Sequence, residues 1–364
     1  MADPKADAPS ARFGAGHSLS LGLVGCLMLL GACCPAPTAL PRPEPAPAVP
    51  SPVPSKVSAG TLSDAEARTL SSLTLVDPYP LYTMHYVAPY EAETAGALSP
   101  ARGWSCSLFA ALGDPSSRLY GRGFDWQYSP AVLLFTDPPD GYASISMVDI
   151  AYLLSDVSDV ASLQERRLDD RKELLRAPHL PFDGMNEQGL VVGMAAVPAG
   201  DAPLDLALPT VDDLELMRWM LDRASTVDEA VGVLRRANVS WGNGPPIHYL
   251  IADATGQAAL VEYVQGEMVV LPNEEPWHLA TNFFVSSAGA GPTAESGLCP
   301  RYDRMLDTLR PTGGMLQVNQ ALELLRHVAN DTTQWSVVYD LSQRSVHIVM
   351  GGRFETVYTF ALRD

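Results

Sequence analysis

Strand-like and helix-like stretches come in blocks along this chain, which predicts an α+β fold of stacked layers and not a repeated βαβ unit. Three observations carry the prediction. Short apolar runs bounded by turn residues fill the stretch from Cys106 to Pro198. The apolar period then lengthens to that of two successive helices. Strand patterning returns from Ile247 to Leu271 and again at the C-terminal end, with two more helical stretches between.

Taken in order, the first 56 residues do not read as fold. Residues 18–32, SLSLGLVGCLMLLGA, form an apolar run too short for a comfortable membrane span, with Lys5 and Arg12 ahead of it. The run ends in Leu30, Gly31, Ala32 and Cys33, which resembles a bacterial lipobox. Residues 1–32 are therefore expected to be a lipoprotein-type signal peptide. Cys33 is then the lipid anchor of an exported cell-envelope protein. Nine prolines follow between Pro35 and Pro54. Such a segment favours extended polyproline II, would reach about 60 Å, and reads as a tether over residues 33–56. Residues 57–105 are an N-terminal segment, and residues 106–364 the expected catalytic domain.

Within 57–105, Leu73–Glu91 holds short aromatic-rich strand candidates broken by prolines. Cys106–Leu112 and Leu119–Trp126 form a predicted hairpin around the turn residues Gly113, Asp114 and Pro115. AVLLFTD and YASISMVDIAYLL continue as strands. FDGMNEQGLVVGMAAVP places a Gly- and Asn-rich turn before an apolar strand. Leu214, Met217 and Leu221 share one helix face. Val227, Ala230, Val231 and Leu234 mark a second helix, with Thr226 and Glu229 as a capping box. IHYLIADATGQAALVEYVQGEMVVL reads strand, turn, strand, turn, strand. RYDRMLDTLR and LQVNQALELLRHV are helical, and the last 30 residues are strands.

Bulk properties narrow the function. The 42 acidic residues outnumber the 24 basic ones, a net charge of −18, which argues against a nucleic-acid partner. Lysine occurs only at Lys5, Lys56 and Lys172, so no phosphate-binding GK[ST] loop exists. H-E-x-x-H, C-x-x-C and G-x-S-x-G are all absent, and the seven histidines show no metal spacing. No cofactor and no metal are expected. Export would permit a disulfide between Cys106 and Cys299.

The order of motifs resembles a family. A Cys on a first strand is followed by G-R-x-x-D-W on the second, then D-G-M-N-E-x-G-L, a two-helix block, an I-x-D-x-T-G hairpin, T-N and a short R-Y. From about Ser105 to Leu362 this is similar to the linear amide C–N hydrolases of choloylglycine hydrolase type. That group includes bile-salt hydrolases, penicillin V acylases and the acid ceramidase group. The resemblance implies the four-layer αββα N-terminal-nucleophile sandwich. It implies a cysteine nucleophile at Cys106, freed by self-cleavage after Ser105, and active-site roles for Arg122, Asp125, Asn282 and Arg301. It also implies that the N-terminal piece stays bound, as in the acid ceramidase group. One position departs from the pattern. Ala196 stands where bile-salt hydrolases have asparagine and penicillin acylases tyrosine, which puts those two specificities in doubt.

Elementary chemistry suits this set. A thiol is only a few per cent thiolate at neutral pH, and a neighbouring cation such as Arg122 lowers its pKa. A free α-amino group titrates near 8 and can take the thiol proton, with Asp125 orienting it. Asn282 has an amide NH₂ suited to an oxyanion. Arg301 opens a helix. Asn186 and Glu187 read as turn structure, and His248 and His347 as strand residues. Arg122 and Asp125 are three apart, so a regular strand sends them to opposite faces. A bulge at Gly123, or a strand ending before Asp125, would bring them together. The expected substrate is a small N-acyl amide. An acyltransferase using the same acyl-enzyme, or a non-catalytic lipoprotein with a Cys106–Cys299 disulfide, are the alternatives.

Overall fold

The computed structural model describes residues 62–90, 105–154, 156–198, 200–242, 244–286 and 299–363. The expected signal peptide, the lipid-anchor Cys33 and the proline tether lie outside these residues. All described residues belong to one compact unit, Ser51–Asp364.

The chain enters through helix α1 (Asp64–Ser71), whose Ser63 and Glu66 cap each other's backbone N–H groups. Strands β1 (Thr74–Asp77) and β2 (Leu81–Tyr86) follow, then β3 (Ser105–Ala111), β4 (Leu119–Asp125), β5 (Ala131–Thr136) and β6 (Ser144–Asp149). The strand expected to run through Leu154 ends at Asp149, and residues 150–179, for which the sequence pattern gave no helix, contain three 3₁₀ stretches. The expected Gly-Asn turn is itself partly strand: β7 (Asp183–Asn186) precedes β8 (Val191–Ala196), and the turn sits one step later at Gly189, φ 82°. A Cβ there would also meet the Arg344 guanidinium at 2.6 Å, so the position needs glycine twice over.

β9 (Thr210–Asp212) leads into α2 (Asp213–Arg223) and α3 (Val227–Leu234), close to the predicted helix pair. The α3 cap differs in detail. The Thr226 side chain accepts from the Glu229 N–H as expected, while the Glu229 carboxylate turns to the N–H and hydroxyl of Ser225. β10 (Asn238–Ser240) pairs in parallel with β9, and β11 (Ile247–Ala252), β12 (Ala258–Val264) and β13 (Glu267–Pro272) form the expected meander. After β14 (Trp277–Ala280), α4 (Pro300–Thr312) begins on a proline and ends at Gly313 in the left-handed conformation. α5 (Val318–Val328) and strands β15 (Thr333–Asp340), β16 (Ser345–Met350) and β17 (Tyr358–Ala361) complete the described chain.

Among the described residues, nine strands form one sheet in the order β1-β2-β5-β6-β7-β8-β11-β12-β13. Six form another, β14-β3-β4-β15-β16-β17. Even-numbered residues of β3 and β4, among them Leu108, Ala110, Tyr120 and Phe124, share a core with Val192, Met194 and Leu250 of the nine-stranded sheet. Odd-numbered Phe109, Ala111 and Leu119 share a second core with Leu306 and Leu309 of α4 and Leu324 and Leu325 of α5. Helices α2 and α3 cover the far face of the nine-stranded sheet, packing on β7, β8, β11 and β12. The result is a four-layer αββα sandwich, the expected architecture. Every residue of β4 to β8, β11 and β12 up to Tyr263 is buried because both faces of these strands are covered. That explains why they read as apolar runs without alternation.

The N-terminal segment is built into the larger sheet. β2 runs parallel to β5 over six residue pairs, Leu81–Ala131 to Tyr86–Thr136. Leu70, Leu81, Tyr82 and Met84 have no exposed surface, and Arg353 pairs with Asp77 across to the far end of the chain.

The two sheets come into close contact at Gly193 in β8. A Cβ there would stand 2.6 Å from the Tyr120 hydroxyl and 2.8 Å from Leu108. Gly193→Ala is expected to destabilise the fold by about 1–3 kcal/mol through this overpacking. In a Tyr120→Phe background, which removes the hydroxyl, the same change should cost less, with a coupling of at least about 0.5 kcal/mol in urea unfolding. Strict additivity would mean that the sheets do not meet there.

Candidate active site

The predicted hairpin is antiparallel and in unbroken register, Ser105 opposite Asp125, Cys106 opposite Phe124 and Leu108 opposite Arg122. No bulge forms at Gly123, and the strand runs through Asp125. Neither device expected to bring Arg122 and Asp125 together is present. The irregularity lies in the partner strand, between Thr333 and Trp335 of β15. Arg122 and Asp125 consequently leave β4 on opposite faces and serve different neighbourhoods.

Arg122 points between the sheets and is fully buried. Its Nη1 is 2.7 Å from Oδ2 of Asp183, at the start of β7 in the facing sheet. Its Nη2 is 3.8 Å from the Cys106 sulfur, and its guanidinium lies 4.6 Å from the Phe124 ring and 5.6 Å from the Trp335 ring. Asp183 also accepts hydrogen bonds from the Tyr339 hydroxyl and the Trp335 indole N–H. Removing a guanidinium from water costs several kcal/mol, so it needs such a counter-ion. The carboxylate at Asp183 was spelled out in the D-G-M-N motif but given no role there. The signal that could have found it is an acid in an otherwise apolar stretch, facing a chain with one buried arginine on its nucleophile hairpin.

The thiol departs from expectation. Arg122 and Arg301 both favour the Cys106 thiolate, but complete burial outweighs them and pushes the thiol pKa up. Asp183 neutralises much of the Arg122 charge at close range, which weakens the effect on sulfur.

Asn282 follows β14 and reaches the same strand start. Its Oδ1 accepts the Cys106 backbone N–H at 2.7 Å and Arg301 Nη2 at 2.9 Å. Its Nδ2 donates to the Ala196 carbonyl at 2.8 Å. Two donors on one side and an acceptor on the other fix which way the amide points. The position that departs from the family pattern thus supplies a backbone carbonyl. The contact to the Cys106 nitrogen, expected of Asp125, is made by Asn282. One N–H of the amide is taken up by Ala196, leaving the second for another acceptor.

Arg301 sits in the first turn of α4, where a cation meets the positive end of the helix dipole at a cost of about 0.3–1 kcal/mol. Its contacts with β3 offset this. It donates to the Cys106 carbonyl, to the Ser107 hydroxyl at 3.0 Å and to Asn282. Asp125 lies 4.0 Å from Arg301 on this outer face. It accepts from Thr333 Oγ1 at 2.6 Å and Asn330 Nδ2 at 2.7 Å. Burial raises its pKa against the pull of those hydrogen bonds and of Arg301 and Arg122.

Three of the expected residues, Arg122, Asn282 and Arg301, therefore converge on a fourth, Cys106, the second residue of β3, and Asp125 stands beside Arg301. Cys106 and Cys299 are both free thiols. They lie on opposite sides of the six-stranded sheet, Cys106 in the inter-sheet core and Cys299 against the α4–α5 core, so the alternative disulfide is corrected. Asn186, expected in a turn, is instead the last residue of β7; its side chain braces the turn that follows, accepting the N–H groups of Gln188 and Leu190 and donating to the carbonyls of Leu221 and Ala224.

Residues 172–282 match the family model of the linear amide C–N hydrolases, choloylglycine hydrolase family. That match spans 111 of the 364 residues, and it supports hydrolysis of a linear amide as the class of chemistry. Two structures of variants of the conjugated bile acid hydrolase from Clostridium perfringens are similar to it at 16% identity, with TM-scores of 0.51 and 0.50. They cover 71% of this chain, and 92% and 93% of theirs. A penicillin V acylase from Agrobacterium tumefaciens has a TM-score of 0.49 at 16% identity, over 71% of this chain and 87% of its own. No curated protein matches by sequence. At such identity the bile acid hydrolase structures support the fold alone, and the family model carries the amide-hydrolase class.

The Arg122–Asp183 pair gives a test of how the hydrolase holds its cation. Asp183→Ala leaves the guanidinium buried without an anion and should cost about 3–5 kcal/mol of unfolding free energy. Replacing both members, Arg122→Met with Asp183→Leu, should recover most of that loss. A double variant as unstable as the single one would show that the pair is not what is being lost.

Proposed function

We propose that this hydrolase uses Cys106 as an N-terminal cysteine nucleophile on N-acyl amides, after cutting its own chain between Ser105 and Cys106. One observation carries the reading: Asn282, Arg301 and Arg122 meet the nitrogen, carbonyl and sulfur of the same residue, Cys106.

In the intact chain that nitrogen is an amide and the thiol is buried and protonated. Self-cleavage begins when the sulfur adds to the Ser105 carbonyl carbon. The C–N bond breaks, and the Cys106 nitrogen takes the thiol proton. Water then hydrolyses the resulting thioester, leaving a Ser105 carboxylate, a free thiol and a free amine. Asn282 holds the nitrogen throughout. The freed amine, titrating near 8, is the base that the site otherwise lacks. It takes the thiol proton as sulfur attacks the substrate carbonyl and returns it to the departing amine. Water releases the acyl group. The second N–H of Asn282 is the donor suited to the oxyanion. Arg122 tempers the charge on sulfur, and Asp125 with Arg301 braces the strand start.

The piece ahead of the cut is proposed to remain bound. β1 and β2 are two strands of the nine-stranded sheet, and detaching them would expose Leu70, Leu81, Tyr82 and Met84. Each large apolar side chain holds about 1.5–3 kcal/mol of burial. The lipid anchor at Cys33 is proposed from the sequence pattern, and would tie that retained piece to a membrane.

The test is amine release from an N-acyl amide with an apolar acyl chain. Cys106→Ala should abolish turnover and Cys299→Ser should leave it intact. Asn282→Ala should lower kcat by roughly 10²–10³. Turnover that survives Cys106→Ala would place the nucleophile elsewhere.

A further inference from the structure

Asn282 makes three hydrogen bonds in the site, yet it follows a short strand and stands in a loop. Something must hold that loop. Behind it lie two fully buried side chains, His248 on β11 and Glu262 on β12. His248 Nε2 is 2.7 Å from the carbonyl oxygen of Thr281, the residue before Asn282. Its Nδ1 is 3.3 Å from Glu262 Oε1. The Glu262 carboxylate accepts the N–H of Val285 at 2.8 Å, the N–H of Ser286 at 3.0 Å and the Ser286 hydroxyl. The loop is thus gripped on both sides of Asn282. His248 takes the carbonyl ahead of it, and Glu262 takes the amides three and four residues after it. β11 also pairs with β8, His248 opposite Ala195 and Ile247 opposite Ala196, so the strand beside His248 supplies the Ala196 carbonyl to Asn282.

The charge state follows from the partners. Burial alone would raise the Glu262 pKa, but the hydrogen bonds from His248, Ser286 and the two amides prevail and hold it below the usual range. An ionised carboxylate and a carbonyl oxygen are both acceptors only. Each ring nitrogen of His248 faces one of them, so the ring bridges Glu262 and the Thr281 carbonyl.

We propose that the buried His248–Glu262 pair is a clamp that sets the position of Asn282 against Cys106. Both are positioning residues, since neither reaches the reacting atoms. The purpose assigned to the clamp rests on the function proposed above. A displacement of Asn282 by about 1 Å is enough to lower turnover up to a hundredfold.

The test uses the full-length protein with Glu262→Gln, which keeps the side-chain shape and removes the charge, and with the milder Ser286→Ala, which deletes one hydroxyl. Turnover is expressed per Cys106 thiol titrated by iodoacetamide and counted by mass, so that loss of folded protein does not register. Glu262→Gln should lower kcat about tenfold to a hundredfold, and Ser286→Ala severalfold, with KM little changed. Backbone amides of Val285 and Ser286 should lose hydrogen-exchange protection in Glu262→Gln. An unchanged kcat per thiol in Ser286→Ala and in any folded Glu262→Gln would overturn the clamp. An inactive wild-type protein would instead overturn the proposed function, and the exchange comparison would still decide whether the clamp holds the loop.

Discussion

The site depends on one costly arrangement, a guanidinium with no exposed surface placed between two β-sheets. Arg122 can be there only because Asp183 meets it from the facing sheet and two aromatic rings cover it. That requirement links the sheets at a fixed point. Asp183 is in turn tied to Trp335 and Tyr339 of β15, the neighbour of β4. The cation, its counter-ion and the rings form a closed cluster with the Cys106 sulfur at its edge. A buried pair of this kind is weak evidence of added stability. It is stronger evidence that a particular geometry is being held.

A second consequence is that the intact chain carries its thiol in a poor state for attack on outside molecules. Burial outweighs two arginines, and the Cys106 nitrogen, proposed as the base of the cleaved chain, is an amide in the intact one. Intramolecular attack suffers less from this, since the Ser105 carbonyl is already adjacent and no encounter is needed. The same contacts that hold the Cys106 amide hold the amine that cleavage would produce. On this account Asn282 and Arg301 serve before and after the cut without moving far.

Much of this was legible in the sequence, and the misses have physical reasons. The opening hairpin, the α2–α3 pair, the β11–β13 meander and the two late helices all follow from period and turn chemistry. β7 was hidden because Gly and Asn, read as turn residues, sit there in a strand pairing with β6 and β8. Residues 150–179 have no clear period because 3₁₀ turns do not repeat at 3.6 residues. For the site, motif order marked Cys106, Arg122, Asp125, Asn282 and Arg301. It could not show which face each side chain takes, so Asp125 was given the nitrogen contact that belongs to Asn282. Asp183, His248 and Glu262 act from the other sheet. Their partners are 61 residues from Asp183, 33 from His248 and 23 to 24 from Glu262, distances that local pattern does not span. A lone glutamate inside AALVEYV was the available signal, since a buried acid in an apolar strand requires partners.

The central claim is that Cys106 is a strand start prepared to become a chain start. The direct measurement is the intact mass of the purified wild-type protein, after denaturation and again from a single native gel-filtration peak. The account gives two masses, one for a chain beginning at Cys106 and one for a piece ending at Ser105, both from the same native peak. A single uncut mass from protein with full amidase activity would contradict it.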